Sequence, residues 1–243
     1  MIAQPIRIVP LHPGPVAAPV TPPHLTYRGG PLLSAVQVVT AFWGAEWLAD
    51  EAPLLTQIND FFLFILDSPL MDQLAEYSVP GTQIEHGSLA GTAIVTDTQP
   101  GSTVTDADVK NLINNGIASA KLPTSTANSL YVVYLPPGVI VEMDGQDSCS
   151  AFCGYHDSIA GAIHYAVMPY PDCSGCVGDL HVLDALTSTS SHELCEAVTD
   201  PVPGQGWYDD ANGEIGDICS WKTKKVGSWT VQMEWSNKQS ACI

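Results

Sequence analysis

Hydrophobic positions along the chain fall into two recurring spacings. Leu54, Leu55, Ile58, Phe61, Phe62, Ile65 and Leu66 recur at intervals of three and four, so residues 50–67 predict an amphipathic helix that Pro69 stops. A second short helix is expected over 70–77. Residues 105–121 open on Thr105-Asp106-Ala107-Asp108, a helix start with early acids, and carry Val109, Leu112, Ile113, Ile117 and Ala120 on one face. Between these helices lie short runs rich in β-branched and aromatic residues. Residues 35–43, 92–96, 130–135, 139–141 and 162–168 therefore predict strands, with a Pro-Pro-Gly turn at 136–138 and further short strands toward the C-terminus, including 229–235. Residues 144–157 read as a cysteine-bearing loop. Residues 180–199 predict a long helix that Pro201 ends. The middle of that helix, Thr187 to Ser191, has poor helix propensity, and its small side chains suit a helix packed closely on all sides.

Candidate chemistry concentrates on this last helix and the segment after it. His192 and Glu196 stand at i and i+4, hence on one face, where they can grip one ion. Glu193 lies beside them, placed to take a proton from metal-bound water. The arrangement matches the His-Glu-x-x-His helix of zinc metallopeptidases, with a glutamate in place of the second histidine. Glu214, 18 residues after Glu196, is the expected third ligand. The expected set is thus His192, Glu196 and Glu214 on Zn2+, with Glu193 as general base. Two carboxylates and one imidazole would leave the ion a weaker Lewis acid than a two-histidine site, which suggests a slow or specialised peptidase or a harder metal. Asp217 has two readings, an acceptor orienting His192 or a ligand to a separate Ca2+ with Asp209 and Asp210, and the latter pair reads equally well as a solvated turn. Asp200 and His156 are alternative ligands, and His156 reads more readily as a structural histidine, as does His164.

Composition narrows the partners. Acidic residues outnumber Lys and Arg by 26 to 8, a formal net charge of −18, which repels phosphate and disfavours nucleic acid and anionic membranes. The longest apolar run, residues 61–66, is too short to span a bilayer. Residues 1–27 hold many prolines and predict an extended arm that does not read as a signal peptide, followed by a single domain over 28–243. There is no Gly-x-Ser-x-Gly and no glycine-rich phosphate loop, so serine hydrolases and nucleotide enzymes drop out. The seven cysteines admit two readings: three disulfides or a four-thiolate zinc site built from Cys149, Cys153, Cys173 and Cys176. The acidic composition favours disulfides. Spacing alone does not fix their connectivity; local bridges Cys149–Cys153, Cys173–Cys176 and Cys219–Cys242 are expected, with Cys195 left over.

Taken in order, several short motifs resemble one family. These are Gly29-Gly30-Pro31, Phe42-Trp43-Gly44-x-x-Trp47, Cys153-Gly154-Tyr155-His156, Cys173-Ser174-Gly175-Cys176, His192-Glu193-Leu194-x-Glu196, Trp207-Tyr208 and Glu214-Ile215-Gly216-Asp217-Ile218-Cys219. Together they look like the phosphate-induced, EXORDIUM-like secreted proteins and their microbial relatives, over nearly the whole chain from residue 28. The resemblance implies an extracellular location and a zincin-like core, and implies no settled activity. At position 200 the chain departs from the plant members, which carry asparagine there. The resulting expectation is an α+β fold, a zincin-like mixed sheet with a central active-site helix and a disulfide-stabilised C-terminal part. It would be a secreted, monomeric zinc metallopeptidase acting on peptide or protein substrates, with the strand 162–168 as the sheet edge near the site, where a peptide could add as another strand. The alternative is a non-catalytic extracellular protein binding a cell-wall or carbohydrate component.

Overall fold

The computed structural model describes residues 8–12 and 21–243. The predicted arm over 1–27 therefore lies partly outside the described residues, at 1–7 and 13–20. The fold is a mixed α+β arrangement around one six-stranded sheet. Its strands are β1 (Ile8–Pro10), β2 (Gln37–Trp43), β3 (Ser88–Val95), β4 (Ser129–Tyr134), β5 (Phe152–Ile159) and β6 (Ile163–Met168), laid side by side as β1-β5-β6-β4-β2-β3. The four strands from β6 to β3 run parallel, while β5 runs antiparallel to β6 and β1 antiparallel to β5.

Alternation along the strands divides the interior into two cores. Val38 and Phe42 of β2 face one side with helix α1 (Ala52–Ile65) and the later helix Val182–Thr199. Val39, Ala41 and Trp43 face the other, where helix α2 (Asp106–Ala118) places Val109, Leu112 and Ile113. A reciprocal capping box starts α2: Asp108 N–H donates to Thr105 Oγ1, and Thr105 N–H to Asp108 Oδ2. Helix Val182–Thr199, here α3, is held between the sheet and a hairpin of β7 (Thr223–Val226) and β8 (Trp229–Gln232). Burial on every side explains its run of small polar residues. Ser190 Oγ lies 2.7 Å from the Tyr134 hydroxyl, Thr187 Oγ1 donates to the Thr230 carbonyl, and Ser191 Oγ accepts from Gln232 N–H. Each hydroxyl so placed finds a partner in an interior where an unpaired one is costly.

Three expectations are corrected. Residues 152–157 are strand rather than loop. β5 and β6 form a tight hairpin over Ala160-Gly161, both at positive φ, and this dipeptide lacks the Asn-Gly signature that marks such turns in sequence. The strand at 162–168 is therefore interior; β5 lies outside it, and β1 covers the outer edge of β5. The bridges Cys149–Cys153 and Cys173–Cys176 do not form. The pairs are Cys149–Cys173 and Cys153–Cys176, with Cα separations of 5.7 and 5.4 Å. Cys173 and Cys176 begin and end one short turn of helix, from which each side chain reaches across to the segment entering β5. Cys219–Cys242 is present as expected, and Cys195 is a buried free thiol on α3. No described helix is long and apolar enough to cross a membrane.

Candidate metal centre

The C-terminal half of α3 carries His192, Glu193 and Glu196 into a pocket closed by β5 and by the segment 213–219, and every one of these side chains is fully buried. His192 Nε2 and Glu196 Oε1 lie 2.9 Å apart, as the i, i+4 spacing requires. From β5, antiparallel to the interior strand, comes His156. Its Nδ1 is 3.0 Å from Glu193 Oε2 and 3.4 Å from Glu196 Oε2, and its Nε2 is 3.2 Å from the Asp200 carbonyl oxygen. Two glycines make this approach possible. A Cβ at Gly216 would stand 2.8 Å from His192 Nδ1 and 2.9 Å from Glu196 Oε1; one at Gly154, beside β1 and α3, would strike Thr189 and crowd Glu193 Oε1.

The residues singled out in the sequence separate into different places. Glu214 does not join His192 and Glu196; its Oε1 lies 3.6 Å from His156 Nε2, on the far side of that ring. The carboxylate within 4.8 Å of both His192 and Glu196 is Asp217, whose backbone N–H also donates to Glu196 Oε1 and whose Oδ2 accepts from Glu214 N–H. Asp200 ends α3. Its carboxylate accepts from the N–H groups of Gly204, Gln205 and Gly206, so it is spent on the turn that Pro201 begins. Asp209 is likewise engaged by backbone N–H groups of His24, Ala211 and Asn212, and Asp210 is an exposed partner of Arg28. They form the solvated turn rather than an ion site with Asp217. His164 Nδ1 faces the Pro201 carbonyl and stands apart, its basicity lowered by burial. Sequence reasoning missed Glu234, which is fully buried with both carboxyl oxygens unpartnered, near Cys195 and the α3 cluster. No motif or spacing pointed to it.

Charge is the dominant physical fact of this region. Glu193, Glu196, Glu214 and Glu234, all fully buried, and the partly buried Asp217 meet two imidazoles. Burial outweighs the neighbouring imidazoles and pushes Glu193 up, and pushes Glu214, Asp217 and Glu234 well up. Glu196 goes the other way, to about 2, because burial is overcome by His192 and His156. Both histidines rise well above their usual range; burial opposes this, but the carboxylates, Glu214 for His156 and Glu196 for His192, outweigh it. Burial drives the Cys195 thiol well up, which makes it a poor nucleophile.

Several polar atoms of the cluster are left without hydrogen-bond partners. Both His192 nitrogens, Glu193 Oε1, Glu196 Oε2 and both Glu214 oxygens are buried with no hydrogen-bond partner. Orphaned polar atoms in such number are rare in folded proteins, and imidazole with carboxylate is the donor set of divalent cations. The residues present therefore fit a divalent metal ion. No protein-family model matches the chain, and neither a curated protein nor a solved structure is significantly similar.

Proposed function

We propose that the chain is a secreted, metal-dependent peptidase of the zincin type. The observation that carries this reading is Glu193. It stands on a buried helix between His192 and Glu196, with Oε2 held by His156 and Oε1 left without a partner. A structural cation held by His192, Glu196 and Asp217 leaves Glu193 Oε1 without a use. The sheet supports the same reading: an antiparallel strand lies outside a parallel set, followed in sequence by an interior strand and then by the long helix. Three disulfides and the EXORDIUM-like motif order support an extracellular setting.

His192, Glu196 and Asp217 would hold the ion, Zn2+ by its donors, with Asp217 in the place the sequence reading gave to Glu214. A bound ion of this class acidifies water and polarises a carbonyl. Glu193 accepts the proton at Oε1, and burial pushes its carboxyl above the ordinary value, the direction that makes it a better base. His156 fixes the other oxygen, so Glu193 needs no reorientation to act. Gly154 leaves room beside Oε1 that any larger residue would fill.

A second reading has one observation in its favour. His192, Glu193, Glu196 and His156 are fully buried, Asp217 alone being partly exposed, and β1 occupies the outer edge of β5, where an extended peptide would otherwise add as a strand. This favours a non-catalytic extracellular protein whose ion is structural and whose outer surface binds a wall component. A peptide-library digest followed by mass spectrometry separates the two. Glu193→Gln should lower wild-type cleavage by at least about 10²-fold while the ion of His192, Glu196 and Asp217 is retained. A metal-loaded wild type that cleaves nothing between acidic and neutral pH leaves only the binding protein.

A further inference from the structure

Glu196 is the carboxylate that both imidazoles face. Its Oε1 is 2.9 Å from His192 Nε2, and its Oε2 is 3.4 Å from His156 Nδ1. Around each oxygen a separate set of donors closes to within 4.8 Å. Asp217 completes the set on the His192 side, and Glu193 the set on the His156 side. Among the described residues the donors thus form two groups sharing one residue rather than a single group.

The ring of His156 argues independently that its side holds an ion. Its Nε2 faces the Asp200 carbonyl, an acceptor only, so that nitrogen carries the hydrogen. In the neutral ring, the form that binds a metal, Nδ1 presents a lone pair between two carboxylate oxygens, on Glu193 and Glu196, and all three side chains are fully buried. Metal-bound histidines are oriented in this way, the free N–H donating to a backbone carbonyl. A proton on Nδ1 would satisfy one of the two oxygens and leave Glu196 Oε2 unpartnered, as it stands now.

We infer that the centre is dinuclear: His192, Glu196 Oε1 and Asp217 hold one divalent cation, His156 Nδ1, Glu193 Oε2 and Glu196 Oε2 hold a second, and Glu196 bridges them. The inference rests on the peptidase reading only for the first ion. Glu193 keeps Oε1 free in either case. Each ion has one imidazole and two carboxylates, a donor set shared by zinc and manganese.

The test uses the full chain, purified without chelator from medium supplemented with Zn2+ or Mn2+. Elemental analysis should find two equivalents per chain, falling to one in His156→Ala and to one in His192→Ala. The manganese-loaded wild type should give a spin-coupled paramagnetic resonance spectrum, as expected of ions about 3.5–4 Å apart; this readout stands even where a variant fails to fold. One equivalent in the wild type, lost in His192→Ala, kept in His156→Ala and giving an isolated six-line spectrum, overturns the dinuclear centre and leaves the one-ion peptidase intact. No bound metal overturns both.

Discussion

The two bridges at the start of β5 make an unusual prediction about additivity. Cys149–Cys173 and Cys153–Cys176 close overlapping loops, with sequence separations of 24 and 23. Closing the first restricts the unfolded chain by about 3.5 kcal/mol in a chain-entropy treatment. With it closed, the second joins residues already near each other, through the four-residue step from Cys149 to Cys153 and the three-residue step from Cys173 to Cys176. That shorter path is worth only about 2.5 kcal/mol. Replacing either pair with alanine should therefore cost about 2.5 kcal/mol, and replacing both about 6, roughly 1 kcal/mol more than the two single losses together. Local pairing of neighbouring cysteines would behave otherwise, with two independent small loops of about 2 kcal/mol each and strict additivity. Urea denaturation of the three variants, all retaining Cys219–Cys242, measures the difference. Additive losses, or a joint loss no larger than a single one, would refute the reasoning. Because Cys153 lies three residues before His156, the joint variant should also lose metal from the His156 side.

Chelator-stripped protein should lose stability as pH rises above about 4.5, the usual carboxylate range. Glu214, Asp217 and Glu234 have raised folded values, so the fold keeps protons that the unfolded chain has released; their stabilisation is full below that range and is lost progressively as pH climbs from there through their raised folded values. Each group still protonated only in the fold contributes about 1.4 kcal/mol per pH unit to the slope. Metal-loaded protein should show a weaker or reversed slope in the same denaturation series, since bound ions displace those protons; a metal-free protein whose stability rises from pH 5 to 7 contradicts the charge analysis. Gly216→Ala should weaken metal binding at least about tenfold and destabilise the fold by about 1–3 kcal/mol, since its methyl must displace His192 or Glu196; equilibrium dialysis and thermal unfolding read both effects. Thiol titration should find one reactive group in the unfolded, unreduced chain and none in the native protein, and a second native thiol would contradict the three bridges.

Helices were well marked in the sequence. Those at 52–65 and 106–118 lie within the spans that apolar spacing marks, because an amphipathic helix writes its buried face into consecutive turns, whereas 182–199 is buried on every side and was marked by its end at Pro201. β5 was illegible for the opposite reason. Phe-Cys-Gly-Tyr-His-Asp-Ser-Ile is buried along its first five residues by β1, β6 and α3, so no polar alternation survives to mark it. With that strand unread, His156 had no position, the sheet edge was assigned to its neighbour, and the cysteines on either side were paired locally. Within the candidate site, His192, Glu193 and Glu196 follow from helical spacing alone. Asp217 and Glu234 enter through tertiary approach of the last third of the chain, which no local pattern encodes.

The placing of β1 also has a meaning in time. Ile8–Pro10 pairs with residues 152–155, and the Pro10 carbonyl is further tied to Trp221 Nε1. A ribosome must therefore deliver well over half of the chain before this early segment has anything to pair with, and contacts of such sequence separation form slowly. During that interval the outer edge of β5 stands open beside the buried cluster of His156, Glu193 and Glu196. The order of synthesis thus leaves the covering of that edge to a late step of assembly.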